Sequence, residues 1–240
     1  MFQSPSPLSP SSAPEAPRLF AIGDIHGCLT ALDVLLESLQ LRPQDQLVLL
    51  GDYIDRGPDS RGVIERLLEL EREGEHIFLR GNHESWMMSG GINFSMFQSW
   101  LEVGGLETLA SYGSQDISDI PESHWLFIER TRLFYETDTH IFVHGASGQG
   151  PLETTGEHWL LWSRIYNIEP HPSGKRVICG HTSQKNGRPL DRGFAVCIDT
   201  HAYGGNWLTA LEVNSDEVFQ ANQRGETRSG TLKQLGKQSS

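Results

Sequence analysis

Three short glycine-bounded clusters, spaced about 30 residues apart, dominate the first 84 positions: Gly23-Asp24-Ile25-His26-Gly27, Gly51-Asp52-Tyr53-Ile54-Asp55-Arg56-Gly57 and Gly81-Asn82-His83-Glu84. Each follows a short apolar run, Leu19 to Ile22, Leu47 to Leu50 and Ile77 to Leu79. Runs of this length ending in glycine read as buried strands, and polar donors placed where a strand runs out into a loop are how an α/β sheet assembles a site along one edge. Between the clusters lie helix signals. Leu29, Leu32, Leu35, Leu36 and Leu39 recur at three- and four-residue steps, as do Val63, Ile64, Leu67, Leu68 and Leu70 after a capping Asp59 or Ser60. The resulting β-α-β-α-β order, with right-handed crossovers, brings all three loops to the same edge of a parallel sheet.

Residues from Ser85 to about Arg132 read as mostly helical, packed over the sheet, with part of the Met- and aromatic-rich stretch Trp86 to Trp100 a possible cleft wall. Strand signals return at His140–Val143, Arg176–Cys179, Phe194–Ile198, Trp207–Val213 and Glu217–Gln220, with a more antiparallel second half expected. The first two of these end at histidines flanked by glycine, His144 and His181. We expect one domain over residues 18–220, a disordered tail over 1–17, where five Ser and five Pro occur, and a flexible tail over 221–240.

The chain has 31 acidic against 19 basic residues, a formal charge of −12. That balance excludes non-specific binding to a nucleic-acid backbone, which needs a positive face. No apolar run has the length of a membrane span, and residues 1–17, with no basic start and no apolar stretch, are expected to be neither a signal peptide nor a span. Cys28, Cys179 and Cys197 lack paired spacing and none begins a Cys-x5-Arg phosphate loop, so buried reduced thiols and a cytoplasmic location are expected. A monomer is expected.

Hydrolysis of a phosphate ester requires an activated water, compensation of the phosphoryl charge and a proton for the departing alkoxide. Two divalent ions sharing a hydroxide meet the first need and part of the second. The clusters hold a matching inventory. Asp24 and His26 can face one ion and Asp52 can bridge. Asn82, His144 and His181 can complete the second shell. Mixed carboxylate, amide and imidazole donors suit manganese, iron or zinc better than calcium. Arg56 and Arg164 are candidate phosphate clamps. His83 is placed to protonate the leaving oxygen, with Asp55 holding its other ring nitrogen. Each residue alone has a duller role as turn former or core histidine; the combination carries the reading. His76, His124, His140, His158 and His171 have no comparable context.

These residues resemble the phosphoprotein phosphatase family of metallophosphoesterases, whose pattern is GDxHG, GDxxDRG and GNHE followed by two separated histidines. All three signatures stand here as Gly23–Gly27, Gly51–Gly57 and Gly81–Glu84, and the likeness runs from Arg18 to about Val213. Within the family the chain is most similar to small bacterial and lambda-phage serine/threonine protein phosphatases. The segments Gly104-Gly105…Tyr112-Gly113, Gly180-His181-Thr182 and Ile198-Asp199-Thr200…Leu211 carry that similarity. The resemblance implies a calcineurin-like fold, a central β-sandwich of two mixed sheets flanked by helices. It also implies a dinuclear centre, usually manganese in bacterial members, and direct attack on phosphorus without a phosphoenzyme. In that reading Asp24 and His26 hold the first ion, Asp52 bridges, Asn82, His144 and His181 hold the second, Arg56 and Arg164 bind phosphate, and His83 with Asp55 forms the acid pair. Gly145-Ala146 departs from the usual Ala-Gly or Gly-Gly, and His201 stands where relatives often have glycine; it is either a surface replacement or a residue that projects towards the cleft.

A phosphoprotein or phosphopeptide is the expected substrate. The rival is a symmetrical diadenosine tetraphosphate hydrolase, which shares the scaffold but typically lacks counterparts of Asp55 and Glu84. A silent binding module is disfavoured because no ligand or acid-pair position is lost.

Overall fold

The structure, a computed structural model, describes residues 16–238; residues 1–15 of the expected Ser/Pro tail lie outside the described residues. Twelve strands form two six-stranded sheets. The first sheet contains β1 (Leu19–Ile22), β2 (Gln46–Leu49), β3 (Ile77–Phe78), β9 (Leu208–Glu212), β10 (Glu217–Ala221) and β11 (Thr227–Thr231), in the order β11-β10-β9-β1-β2-β3. The second contains β4 (Phe134–Glu136), β5 (His140–Val143), β6 (Arg176–Cys179), β7 (Leu190–Asp191), β8 (Ala195–Cys197) and β12 (Lys237–Gln238), in the order β12-β7-β8-β6-β5-β4.

Alternation along the strands explains why two sheets stack. Ala21, Val48 and Leu50 of the first sheet meet Phe142, Ile178 and Val196 of the second in one buried cluster. Their neighbours Phe20, Ile22, Leu47 and Leu49 point the other way, onto the helices, as the period of two requires. On the far face of the second sheet Ile141, Val143, Val177 and Cys179 pack under Leu160 and Ile165. Strands buried on both faces lose polar alternation and read as continuous apolar runs. Helices α1 (Leu29–Leu39) and α2 (Ser60–Glu73) cover the first sheet through the leucine stripes seen in the sequence, and Asp59 caps α2 by accepting from the Gly62 N–H at 2.8 Å. The middle is helical as expected: α3 (Asn82–Gly90), α4 (Phe94–Trp100), a kinked segment over Leu101–Gly105 that breaks at Gly104, α5 (Leu106–Ser111) and α6 (Glu122–Arg130).

The second half is more antiparallel than the first, as expected: β9 pairs antiparallel with β1 and β10, β10 with β11, β4 with β5 and β7 with β8. Within it β5, β6 and β8 form a parallel trio of their own, and the segment between β5 and β6 carries α7 (Glu157–Trp162) and is long enough for a parallel crossover. One expectation needs correction: the stretch after Ala221 is not a flexible tail over the described residues. β11 pairs along its length with β10, α8 (Leu232–Leu235) buries Leu232, and β12 pairs with β7 of the other sheet. β11 is an edge strand with no buried position, so it shows no apolar period, and only backbone pairing and the Thr231…Gln234 capping box mark its end. The three cysteines are buried and unpaired. Among the described residues no helix is long and apolar enough to cross a membrane.

β1, β2 and β3 are mutually parallel, as are β5, β6 and β8. The carboxyl ends of both trios therefore deliver their loops to one edge of the sandwich.

Candidate active site

The loops after β1, β2 and β6 achieve their shape through backbone that most residues avoid. Among the described residues eight non-glycine residues have positive φ, and five of them are His26, Asp52, Asp55, Arg56 and His181. Left-handed backbone clustered in this way marks a site whose surroundings over-determine it. Gly51, at φ 96°, lets the loop after β2 touch the one after β3, since a Cβ there would strike the Gly81 backbone.

Glu84 is the keystone. Buried completely, it accepts from the Asp52, Tyr53 and Gly81 N–H groups, each at 2.8 Å, and from Ile54 at 3.4 Å. One carboxylate thus gathers the turns of two signatures, and Asp52 Oδ1 in turn accepts from the His83 N–H at 3.0 Å.

Asp52 stands at the centre of the donors. Its carboxylate lies 3.4 Å from His26 Nε2 on one side and 3.4 Å from His144 Nε2 on the other. His26 Nδ1 faces the Ile54 carbonyl at 2.8 Å and His144 Nδ1 the Leu50 carbonyl at 2.9 Å. A carbonyl there holds the proton on Nδ1 and leaves Nε2 as the acceptor, the arrangement of a metal-ligating imidazole. Asn82 Oδ1 lies 2.9 Å from His144 Nε2 and 2.8 Å from His181 Nδ1. In neutral rings with His144 protonated on Nδ1, oxygen and Nε2 meet as two lone pairs with no proton between them, and a cation satisfies that contact. Two groups of donor atoms converge closely enough to hold an ion: His26, Asp52 and His83, and Asp52, His144 and His181. The residues present fit a pair of divalent ions sharing Asp52.

Charge agrees with geometry. Burial would raise the Asp52 carboxyl, yet the surrounding His144, His83 and His26 hold it well below the usual range. Asp24 is pushed well up by burial and by the charges of Asp199 and Asp52. Burial drives His26 well down and, with His144 beside it, lowers His181 to about 4. Burial also opposes charge on His144, but the neighbouring Asp52 raises it. A buried Asp24 carboxyl raised beside other carboxylates, and His26 and His181 rings held neutral, are groups that favour a bound cation over added protons.

His83 and Asp55 form a buried pair. The contact from Nδ1 to Oδ2 is 2.6 Å, and Asp55 also accepts from Trp100 Nε1 at 2.9 Å and from the Thr108 hydroxyl at 2.7 Å. Burial is the main push on both, raising Asp55 to about 8 and lowering His83 to about 4, while the Thr108 and Trp100 bonds favour the ionised carboxylate. His83 Nε2 is buried without a hydrogen-bond partner among the described residues, and the His26 ring lies edge-on at 4.7 Å.

The structure groups some residues differently from the sequence. Asp24 is buried in the site, but its carboxylate accepts the His181 backbone N–H at 3.1 Å, and His83 takes the expected place beside His26 and Asp52. Arg56 lies 3.1 Å from His26 Nε2 and stacks over Tyr203 at 4.9 Å. Arg164 is exposed at the start of a 3-10 turn and its side chain makes no hydrogen bond or ion pair among the described residues; the nearby Trp162 ring is the part of that segment that reaches His181, at 6.2 Å. Trp162 and Trp86, 4.9 Å apart, wall the same side, with Trp86 against His83 at 5.6 Å. His201 is engaged by Ser183 at 2.9 Å and packs on Tyr203 at 4.6 Å.

Several contributors carried no assignment in the sequence. Asp199, raised to about 6 by burial, sits behind Asp24. Tyr203 covers His26 edge-on at 5.0 Å. Thr108 and Trp100 hold Asp55. A polar residue at the end of a buried strand, as Asp199 is after β8, was the available signal; Tyr203, Thr108 and Trp100 had none beyond lying in glycine-rich segments.

Comparison with known proteins agrees with this geometry. The profile of the calcineurin-like phosphoesterase family matches residues 17–205. The chain is 32% identical over 210 residues to the serine/threonine-protein phosphatase 1 of Salmonella typhimurium, covering 82% of this chain and 92% of that one. It is 26% identical over 243 residues to the asymmetrical bis(5'-nucleosyl)-tetraphosphatase PrpE of Oceanobacillus iheyensis, covering 86% and 93%. In fold it matches the cold-active protein-tyrosine phosphatase of a Shewanella species, with a TM-score of 0.61 at 16% identity over 89% of this chain and 80% of that one. With its signatures folded into one donor cluster, the family profile matched over residues 17–205 and a relative 32% identical across most of both chains, the chain belongs to the calcineurin-like phosphoesterase family.

Proposed function

We propose that the protein is a serine/threonine phosphoprotein phosphatase that hydrolyses phosphomonoesters with two divalent ions, manganese first and iron or zinc as substitutes. The observation that carries this reading is the His83–Asp55 pair. A buried imidazole is fixed at 2.6 Å through Nδ1 by a carboxylate and left open at Nε2 towards the donor cluster. When bound, the ions acidify a water and offset charge on the phosphoryl oxygens. Asp52 would stand between them, with His26 and Asp24 serving one and Asn82, His144 and His181 the other. Arg56 offers a guanidinium fork to the phosphate from beside His26, and Arg164 is the second phosphate donor. Burial opposes charge on His83; Asp55 accepting from Nδ1 and an arriving phosphate dianion both act the other way and favour the imidazolium. Nε2 then gives its proton to the departing serine or threonine oxygen.

A dinucleoside tetraphosphate hydrolase is the second reading, supported by the full-length similarity to the Oceanobacillus enzyme. The measurement that separates them is turnover of a phosphoserine peptide and of diadenosine tetraphosphate, each with manganese and with a chelator. We expect manganese-dependent hydrolysis of the peptide as the faster reaction. Faster cleavage of the tetraphosphate transfers the assignment to the second reading, and full activity under chelation contradicts both.

A further inference from the structure

We infer that the groove leading away from Arg56 selects phosphopeptides with a basic residue beside the phosphorylated one. The inference rests on the phosphomonoesterase reading above and gives it a substrate class. Arg56 closes one end of a cavity of about 390 Å³ whose walls include Tyr203, Glu102, Val103, Leu106 and Glu107. A second cavity, about 590 Å³, shares Leu101 and Leu106 with it and runs on along Leu109, Ala110 and Gly113. The two make a path from the proposed phosphate clamp across α5.

The wall of this path is fastened to the turn that presents Arg56. The Arg56 N–H donates to the Gly104 carbonyl at 3.3 Å and its Nε to the Val103 carbonyl at 3.4 Å. Gly104 has φ 130°, and a Cβ there would come within 2.7 Å of the Arg56 nitrogen. The kink at Gly104, where the helix breaks between Trp100 and Leu106, is what brings the glycine this close. A phosphate at Arg56 therefore leaves its flanking residues beside Glu102, Glu107 and Leu106.

The chemistry of that stretch is one-sided. The side chains of Glu102 and Glu107 are exposed and form no hydrogen bond or ion pair among the described residues. Arg56 is the one cation lining either cavity, and the chain as a whole carries −12. Leu106 is 60% exposed between the two carboxylates. A lysine or arginine next to the phosphorylated residue meets both charges and can lay its methylene stem on Leu106. The polyphosphate of a dinucleotide would meet like charge along the same path.

The test uses phosphoserine peptides matched except for Lys or Glu beside the phosphoserine, assayed at low and high salt with the wild-type enzyme and with a Glu102→Lys/Glu107→Lys double variant. We expect the wild type to favour the lysine peptide roughly tenfold in kcat/KM at low salt, carried in KM, from two exposed pairs. That preference should shrink at high salt and reverse in the double variant. Equal hydrolysis of both peptides, or a preference unmoved by salt and by the double variant, overturns the groove while leaving the phosphatase reading standing. Hydrolysis of neither peptide alongside cleavage of diadenosine tetraphosphate overturns both.

Discussion

The loops after β1, β2 and β3 interlock with one another, whereas those after β5 and β6 each bring a single histidine to the site. In the first trio the Ile25 and His26 N–H groups donate to the Asp52 carbonyl at 3.0 and 2.8 Å, Gly27 donates to Tyr53 at 2.8 Å, and Glu84 collects four N–H groups from the second and third loops. In the second trio His144 leans on the Leu50 carbonyl, and His181 is attached through its backbone to Asp24. The first region is a framework complete in its own hydrogen bonds. The second adds two imidazoles that face Asn82, contacts a bound cation would satisfy. The first sheet thus supplies the scaffold and most of the donors, the second supplies His144 and His181, and Asp52 is the residue on which they meet.

Replacing that residue should produce the largest effect. Asp52→Asn removes charge from both donor groups, so manganese affinity and turnover should each fall by more than the roughly 100-fold typical of residues one step removed from an ion. Isothermal titration and phosphopeptide kinetics measure this; retention of two tight sites would show that the regions do not share Asp52. Next comes His83→Asn, which keeps the framework and removes the proton donor. We expect phosphoserine peptide turnover to drop about 100-fold, with much less loss on p-nitrophenyl phosphate, whose leaving group needs no proton. Equal losses on both substrates would remove His83 from the acid role.

A smaller effect is expected from Glu84→Gln, which probes the framework. The amide nitrogen would face N–H groups that now find a carboxylate, at a cost of about 1–3 kcal/mol in urea unfolding. Manganese affinity should fall about tenfold through the displaced Asp52 turn. The smallest kinetic effect belongs to Asp45→Asn, just before β2 and at the end of the strand away from the site. Asp45 is buried and accepts from Arg18 and Arg42, and those arginines hold its carboxyl well below the usual range against the opposing effect of burial. Turnover should be unchanged while stability at neutral pH falls by about 2 kcal/mol, an amount limited by the partly exposed arginines. Because the folded pKa is depressed, the wild type's advantage is present above the unfolded value near 4 and should vanish as pH falls towards the folded one. A stability gap that persists in strong acid would contradict the assignment.

The same division explains what the sequence could disclose. The first trio writes its donors as contiguous glycine-bounded words, because each strand end, turn and donor lie within a few residues. Leu29 to Leu39 and Val63 to Leu70 show their helices by period. In the second trio the donors are solitary, so His144 and His181 became legible only through the first three clusters, and Asp199 stayed unassigned. The link between Glu84 and the Asp52 turn spans chain-distant backbone that no local pattern encodes, as does the seating of Tyr203 on His26. β7 and β12 are two residues long and β11 is a polar edge. Their pairing comes from backbone hydrogen bonds rather than apolar periodicity, which is why residues 221–238 read as a tail.

The most direct test of the shared site is anomalous diffraction from crystals soaked with manganese. Two peaks in contact with the Asp52 carboxylate are predicted, one against His26 and the other against Asn82, His144 and His181. A single peak, or ions bound away from Asp52, would contradict the account.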